Sequence, residues 1–155
     1  MLESLLTGML TISAPLVYQL PVPGAVVRPF IAPVSDYGAG HRGVDLATTG
    51  GSLVRSAGPG TVSFAGYVAG RGLVVVIHPD GVSTEYEPLQ PSVRAGEAVS
   101  GGTTLGVVPV SGVHGACMPG GCLHWGARRA GAYFDPLTLL RPLGPVRLLP
   151  WDDSG

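Results

Sequence analysis

Lysine is absent from this 155-residue chain, and all nine of its basic residues are arginine. That excludes every chemistry needing a lysyl amine, from Schiff bases to lipoyl and biotinyl attachment, and with it the carrier domains that glycine-punctuated hairpins also build. Charge of either sign is scarce: charged residues make up 12% of the chain, the net charge is −1, and the arginines are scattered. No basic stripe exists to hold a phosphate backbone, so nucleic acid is excluded as a partner. Long apolar runs are missing beyond the opening segment, and nothing there reaches the ~20 residues a spanning helix needs. Cysteine is limited to Cys117 and Cys122.

The opening segment, MLESLLTGMLTISAPLVYQLPVPG, is apolar through Val17 but carries Glu3 and no basic residue before Arg28. An apolar middle and small residues suit a secretory signal, whereas the positive start is lacking. Residues 1–27 are read as a leader, either the remnant of a signal or a membrane-proximal segment, and an exported, extracytoplasmic or wall-associated location is expected.

What is plentiful is glycine and proline, 25 and 15 residues, within a chain that is 45% hydrophobic. SLVRSA, GTVSFAGYV, GLVVVIHPDG, VSTEYEPL, SVRAGEAV and TTLGVVPV are short apolar or alternating runs that end at Gly, Pro or Asp. Such punctuation is the signature of strands and tight turns. The pattern predicts an all-β domain, a compact antiparallel sandwich or barrel-like fold, over residues 28–140. Only DPLTLL, 135–140, reads as a short C-terminal helix, with Asp135 as N-cap and Pro136 in the first helical position. The tail, 141–155, is expected to be extended or disordered.

Two of the four histidines stand in company that suggests a metal. His41 opens HRGVD, with Asp45 four residues on. His124 lies in CLHW, where strand alternation puts Cys122 and His124 on one face. Imidazole and carboxylate are ligands zinc takes, and three protein ligands with one open position make a catalytic site. Either motif alone also fits ordinary core or surface residues. His78 precedes a Pro-Asp-Gly turn and is expected to end a strand without chemistry. Trp125 is expected to pack, and Arg42, Arg128 and Arg129 to face water or the carboxylates of a peptide.

GHRGVDLA, the SAGPGTVSFAG hairpin, GRGLVVVIHPDGVSTEYEPL, VRAGEAVSGGTTLGVV and CLHWGARRAGAYFDPLTLL together, in that order and spacing, resemble the LytM/lysostaphin-type zinc metalloendopeptidase domain, a peptidoglycan hydrolase family built on a duplicated hybrid motif. The resemblance covers about Arg28 to Leu140 and is to a divergent, actinobacterial-like form carrying YEP and CLHWG. It implies one zinc ion held by His41, Asp45 and His124. It also implies two further histidines that orient water and stabilise the tetrahedral intermediate, and both are replaced here, by Pro88 in Tyr86-Glu87-Pro88-Leu89 and by Cys122. Candidate substitutes are His114 in the loop VSGVHGAC, Glu87 and Tyr86.

Cys117 and Cys122 enclose the turn sequence MPGG. In an exported domain a disulfide across it is expected, whereas a Cys122 thiolate on the zinc would close the site into a structural one. Two functions follow from the resemblance. One is an endopeptidase in which metal-activated water attacks a peptide bond of peptidoglycan. The other is a degenerate module that binds zinc or cell-wall peptides and activates another wall enzyme.

Overall fold

The computed structural model describes residues 16–110 and 121–140. Eleven strands and one 3₁₀ turn follow the glycine punctuation: β1 (Val26–Arg28), β2 (Gly43–Ala47), β3 (Leu53–Arg55), β4 (Gly60–Val68), β5 (Arg71–Ile77), β6 (Val82–Glu87), β7 (Gln90–Pro91), β8 (Ala98–Val99), β9 (Thr104–Val107), β10 (Cys122–Arg129), β11 (Ala132–Phe134) and the 3₁₀ turn Pro136–Leu140. The six runs identified in the sequence each hold a strand. The turn glycines Gly70, Gly81, Gly96 and Gly131 adopt positive φ between +76° and +92°, the region that a missing Cβ opens.

All pairings among the described strands are antiparallel, in two sheets. The larger runs β1-β2-β10-β6-β5-β4-β8, with β11 continuing the row of β2 along the far end of β10. The smaller runs β3-β9-β7. The fold is therefore an open sandwich: β1 and β8 are edges, and the barrel alternative is not realised.

Alternation decides what lies between the sheets. Val44 and Leu46 of β2, Leu123 and Trp125 of β10, Tyr86 of β6, and Val74 and Val76 of β5 are fully buried. They form one core with Val54 of β3 and Leu105 of β9 from the smaller sheet. Each fully buried Val or Leu contributes about 1.5–3 kcal/mol relative to exposure, so this layer dominates the stabilising side of the balance. Tyr18 and Val22, ahead of β1, also pack into it. The expected helix is present as the 3₁₀ turn. Asp135 Oδ1 accepts the Leu137 N–H at 3.0 Å and its carbonyl accepts the Thr138 N–H at 3.1 Å. No α-helix occurs among the described residues, and none of their helices is long and apolar enough to cross a membrane.

Candidate metal centre

Because Val44, Leu46, Leu123 and Trp125 face the core, the residues between them face away from it. Asp45 and His124 are direct cross-strand partners on that outer face, where paired side chains stand ~4.5–5.5 Å apart at Cβ. His41 joins them from a loop that approaches β2, held by an isolated bridge in which His41 and Ile31 exchange backbone hydrogen bonds at 2.8 and 3.0 Å. Gly43 makes room for the His124 ring: a Cβ there would lie 2.8 Å from Nε2 and 2.9 Å from Cε1.

Three donor atoms converge. His41 Nε2 lies 3.0 Å from Asp45 Oδ1 and 3.1 Å from His124 Nδ1, and His124 Nδ1 lies 2.9 Å from Asp45 Oδ1. His41 Nδ1 is 2.7 Å from the Pro29 carbonyl, which only accepts, so the proton sits on Nδ1 and the Nε2 lone pair faces the cluster. Burial alone raises the Asp45 carboxyl pKa, but the His124 hydrogen bond and the two neighbouring imidazoles outweigh it and hold the group below its ordinary value. With both rings neutral, His124 has one Nδ1 proton for two neighbours, so at least one of the three contacts sets lone pair against lone pair. A cation at the centre resolves all three. Donors about 2.0–2.1 Å from one zinc ion stand roughly 3.3 Å apart in tetrahedral geometry, close to what these three adopt. They are also the group of described residues whose geometry can hold a metal ion.

Of the other sequence candidates, Glu87 pairs directly with His124 from the β6 side and thus stands on the same outer face. Its carboxylate meets Arg71 at 3.6 Å and is outside the three-residue cluster. Tyr86 turns the other way, into the core, where its hydroxyl accepts the Ala57 N–H at 2.9 Å. His114 and Cys117 lie outside the described residues. Cys122 is not a free thiol. Arg42 reaches back to the Asp36 carbonyl at 2.6 Å, Arg128 meets Glu85 at 3.3 Å and Arg129 meets Asp80 at 3.6 Å. Trp125 packs in the core, its buried Nε1 meeting no hydrogen-bond partner at hydrogen-bond geometry among the described residues.

His78 directly follows the end of β5, as expected, and the structure adds that it is buried and bonded on both sides, with Nδ1 donating to the Pro59 carbonyl at 2.7 Å and Nε2 accepting from the Thr84 hydroxyl at 2.7 Å. Thr84 Oγ1 in turn accepts from the Tyr86 hydroxyl at 2.7 Å. Burial holds the His78 ring below its ordinary pKa and keeps it neutral. The Tyr18 ring closes over it edge-on at 5.0 Å. The sequence signal that points there is the polar trio Thr84, Tyr86 and His78, two of them on the inward positions of one alternating strand.

Comparison with known proteins agrees with this geometry. A family model described as peptidase family M23 matches residues 39–136, more than half of the chain and all three converging residues. The protein Rv2891 of Mycobacterium tuberculosis is 46% identical over 137 residues, which are 86% of this chain and 54% of that protein. The DD-carboxypeptidase/endopeptidase Mpg of Neisseria meningitidis is 34% identical over 103 residues, 66% of this chain and 23% of Mpg. Among solved structures, Csd3 of Helicobacter pylori superposes with a TM-score of 0.65 at 28% identity over 81% of this chain and 35% of its own. This chain thus spans about half the length of the mycobacterial relative. The HRGVD and CLHW motifs, the antiparallel sandwich that brings them together and the extent of the family match agree, and the chain belongs to peptidase family M23.

Proposed function

We propose that this domain binds one zinc ion through His41, Asp45 and His124 and acts on the peptide part of bacterial cell-wall peptidoglycan outside the cytoplasm. The observation that carries the reading is the convergence of the three lone-pair donors within 3.1 Å, with the His41 tautomer set by Pro29. Zinc in such a site lowers the pKa of a bound water toward ~7 and polarises a carbonyl. The chain's own contribution is to hold two imidazoles and one carboxylate in fixed orientation: Pro29 anchors His41, Gly43 gives the His124 ring its space, and the β2–β10 register pairs His124 with Asp45. In this reading residues 28–140 form the peptidase-type unit, residues 1–27 precede it as a leader whose end, from Tyr18 through β1, packs onto that unit, and Cys117 and Cys122 form a disulfide beside the site.

A second reading keeps the fold and the metal and gives up turnover, leaving a module that binds wall peptides and activates another wall enzyme. It is favoured by Pro88 and Cys122, which occupy the positions where the LytM-type resemblance implies acid–base histidines. A positioned acid or base is worth about 10²–10⁴-fold, so hydrolysis in this chain requires a substitute such as His114 or Glu87.

Elemental analysis with a thiol count on the same sample tests the reading. One zinc per chain and no free thiol is the expected result, and absence of zinc after reconstitution overturns it. Release of soluble fragments from purified sacculi by the zinc-loaded protein then decides between hydrolysis and binding alone.

A further inference from the structure

The outer face of the large sheet continues past the metal centre. From Asp45 and His124 the same face runs through Glu87 on β6 to β5, where Arg71 forms an ion pair with Glu87 and is the cross-strand partner of Val68 on β4. Two acidic residues of β6 point this way, and they are not equivalent. Glu85 is committed: the Tyr133 hydroxyl donates to both of its oxygens at 3.2 Å and Arg128 meets it at 3.3 Å, tying β11 and β10 to β6. Glu87 has a single charge contact, to Arg71 at 3.6 Å, well beyond the ~2.7–2.9 Å of a good charge-assisted hydrogen bond. Arg71 has no other recorded partner among the described residues, and its side chain is 62% exposed. An exposed pair of this kind contributes little to stability. Opening it to admit a ligand costs correspondingly little.

Strands lie about 4.8 Å apart and rise about 3.3 Å per residue, so Glu87 stands one strand from His124, and Arg71 two strands away and two residues along, on the order of 5 and 12 Å. That is within reach of one long side chain of a peptide whose backbone lies at the metal. A carboxylate and a guanidinium side by side match a group carrying an ammonium and a carboxylate on one carbon, with Glu87 receiving the ammonium and Arg71 the carboxylate.

Resting on the wall-peptide reading above, we propose that Glu87 and Arg71 form a specificity subsite for the zwitterionic amino-acid head at the side-chain end of a diamino acid in the peptide stem. Neither residue is a ligand to the metal.

The test uses the zinc-loaded full chain and three soluble stem tripeptides, L-Ala-γ-D-Glu ending in meso-diaminopimelate, in diaminopimelate amidated at the side-chain carboxylate, or in L-lysine. The free diaminopimelate peptide is expected to bind about tenfold tighter than the other two, the worth of one charge-assisted contact at a partly exposed site. Arg71→Gln removes that preference and leaves the lysine peptide unchanged, whereas Glu87→Gln weakens the diaminopimelate and lysine peptides together. Both variants keep the zinc-induced rise in melting temperature, which separates loss of the subsite from loss of the metal centre. Equal affinity of the wild type for the three peptides, or a preference that survives both substitutions, overturns the subsite. Sacculi binding measured alongside distinguishes the two levels. Bound sacculi without discrimination defeat the subsite alone, and no binding of sacculi or peptides defeats the wall-peptide reading with it.

Discussion

Replacing Asp45 with Asn should separate the cost of the centre from its use. With both imidazoles neutral and no metal bound, Asp45 Oδ1 faces His41 Nε2 at 3.0 Å and His124 Nδ1 at 2.9 Å. The His41 proton is committed to Pro29, so the carboxylate receives one hydrogen bond, from His124, where two donors are needed. An asparagine amide of the same shape offers two N–H groups to the two rings. One added hydrogen bond is worth about 0.5–1.5 kcal/mol, and a chain of this size gains about 2–4 °C in melting temperature per kcal/mol. Metal-free Asp45→Asn should therefore melt at or a few degrees above metal-free wild type. Zinc at 100 times its Kd stabilises the wild type by about 2.7 kcal/mol, a rise of roughly 5–11 °C on the same scale, and should leave Asp45→Asn within a degree. Thermal melts with chelator and with zinc read both effects. A variant that melts well below wild type without metal, or that keeps the zinc shift, refutes the account of the cluster as lone pairs awaiting a cation.

Thr84→Val keeps shape but removes the hydroxyl that His78 Nε2 and the Tyr86 O–H both use; two orphaned buried groups at about 1–3 kcal/mol each should lower urea-unfolding stability by about 2–6 kcal/mol, and Thr84→Ser should recover much of it. Because burial holds His78 below its ordinary pKa, the unfolded chain binds more protons there than the folded one, so this contribution is complete above about pH 6.5 and declines as pH falls below it, by at most about 1.4 kcal/mol per pH unit. The difference in unfolding free energy between wild type and His78→Gln, measured from pH 7.5 to 5, should shrink in that direction, and a flat difference counts against a neutral buried ring. Gly43→Ala places a Cβ 2.4 Å from the Trp125 carbonyl and 2.8 Å from His124 Nε2, so titration should show zinc binding weakened at least tenfold.

Local chemistry was the most legible layer of the sequence. Glycine and proline marked the strand ends, and Asp135-Pro136 marked the terminal turn. HRGVD and CLHW hold the three converging residues, and the family resemblance selects His41, Asp45 and His124 from them, because each motif carries metal-binding residue types within a few positions. Alternation also put Glu87 opposite Tyr86 on β6. What alternation within one strand does not contain is register. That Glu87 stands against His124, 37 positions on, depends on how β6 docks along β10. The burial and hydrogen bonds of His78 are not legible in the sequence for a related reason. Its own neighbourhood is a strand end and a turn, and the residue that covers it, Tyr18, comes from far earlier in the chain. The choice between sandwich and barrel was equally non-local, settled by the unpaired outer edges of β1 and β8.

The three converging residues do not share one mechanical footing. His124 and Asp45 ride on β10 and β2, interior strands of the large sheet with neighbours on both sides, whose amides open to hydrogen exchange chiefly through global unfolding. His41 lies outside the strands, held by its isolated bridge to Ile31 and by its Nδ1 contact with the Pro29 carbonyl, a smaller set of backbone ties than an interior strand has. Under the zinc reading, ion entry and release are expected to need opening of the 29–42 segment that carries His41, with Asp45 and His124 staying on their strands. Metal exchange should then be far faster than unfolding, with its rate set by that loop.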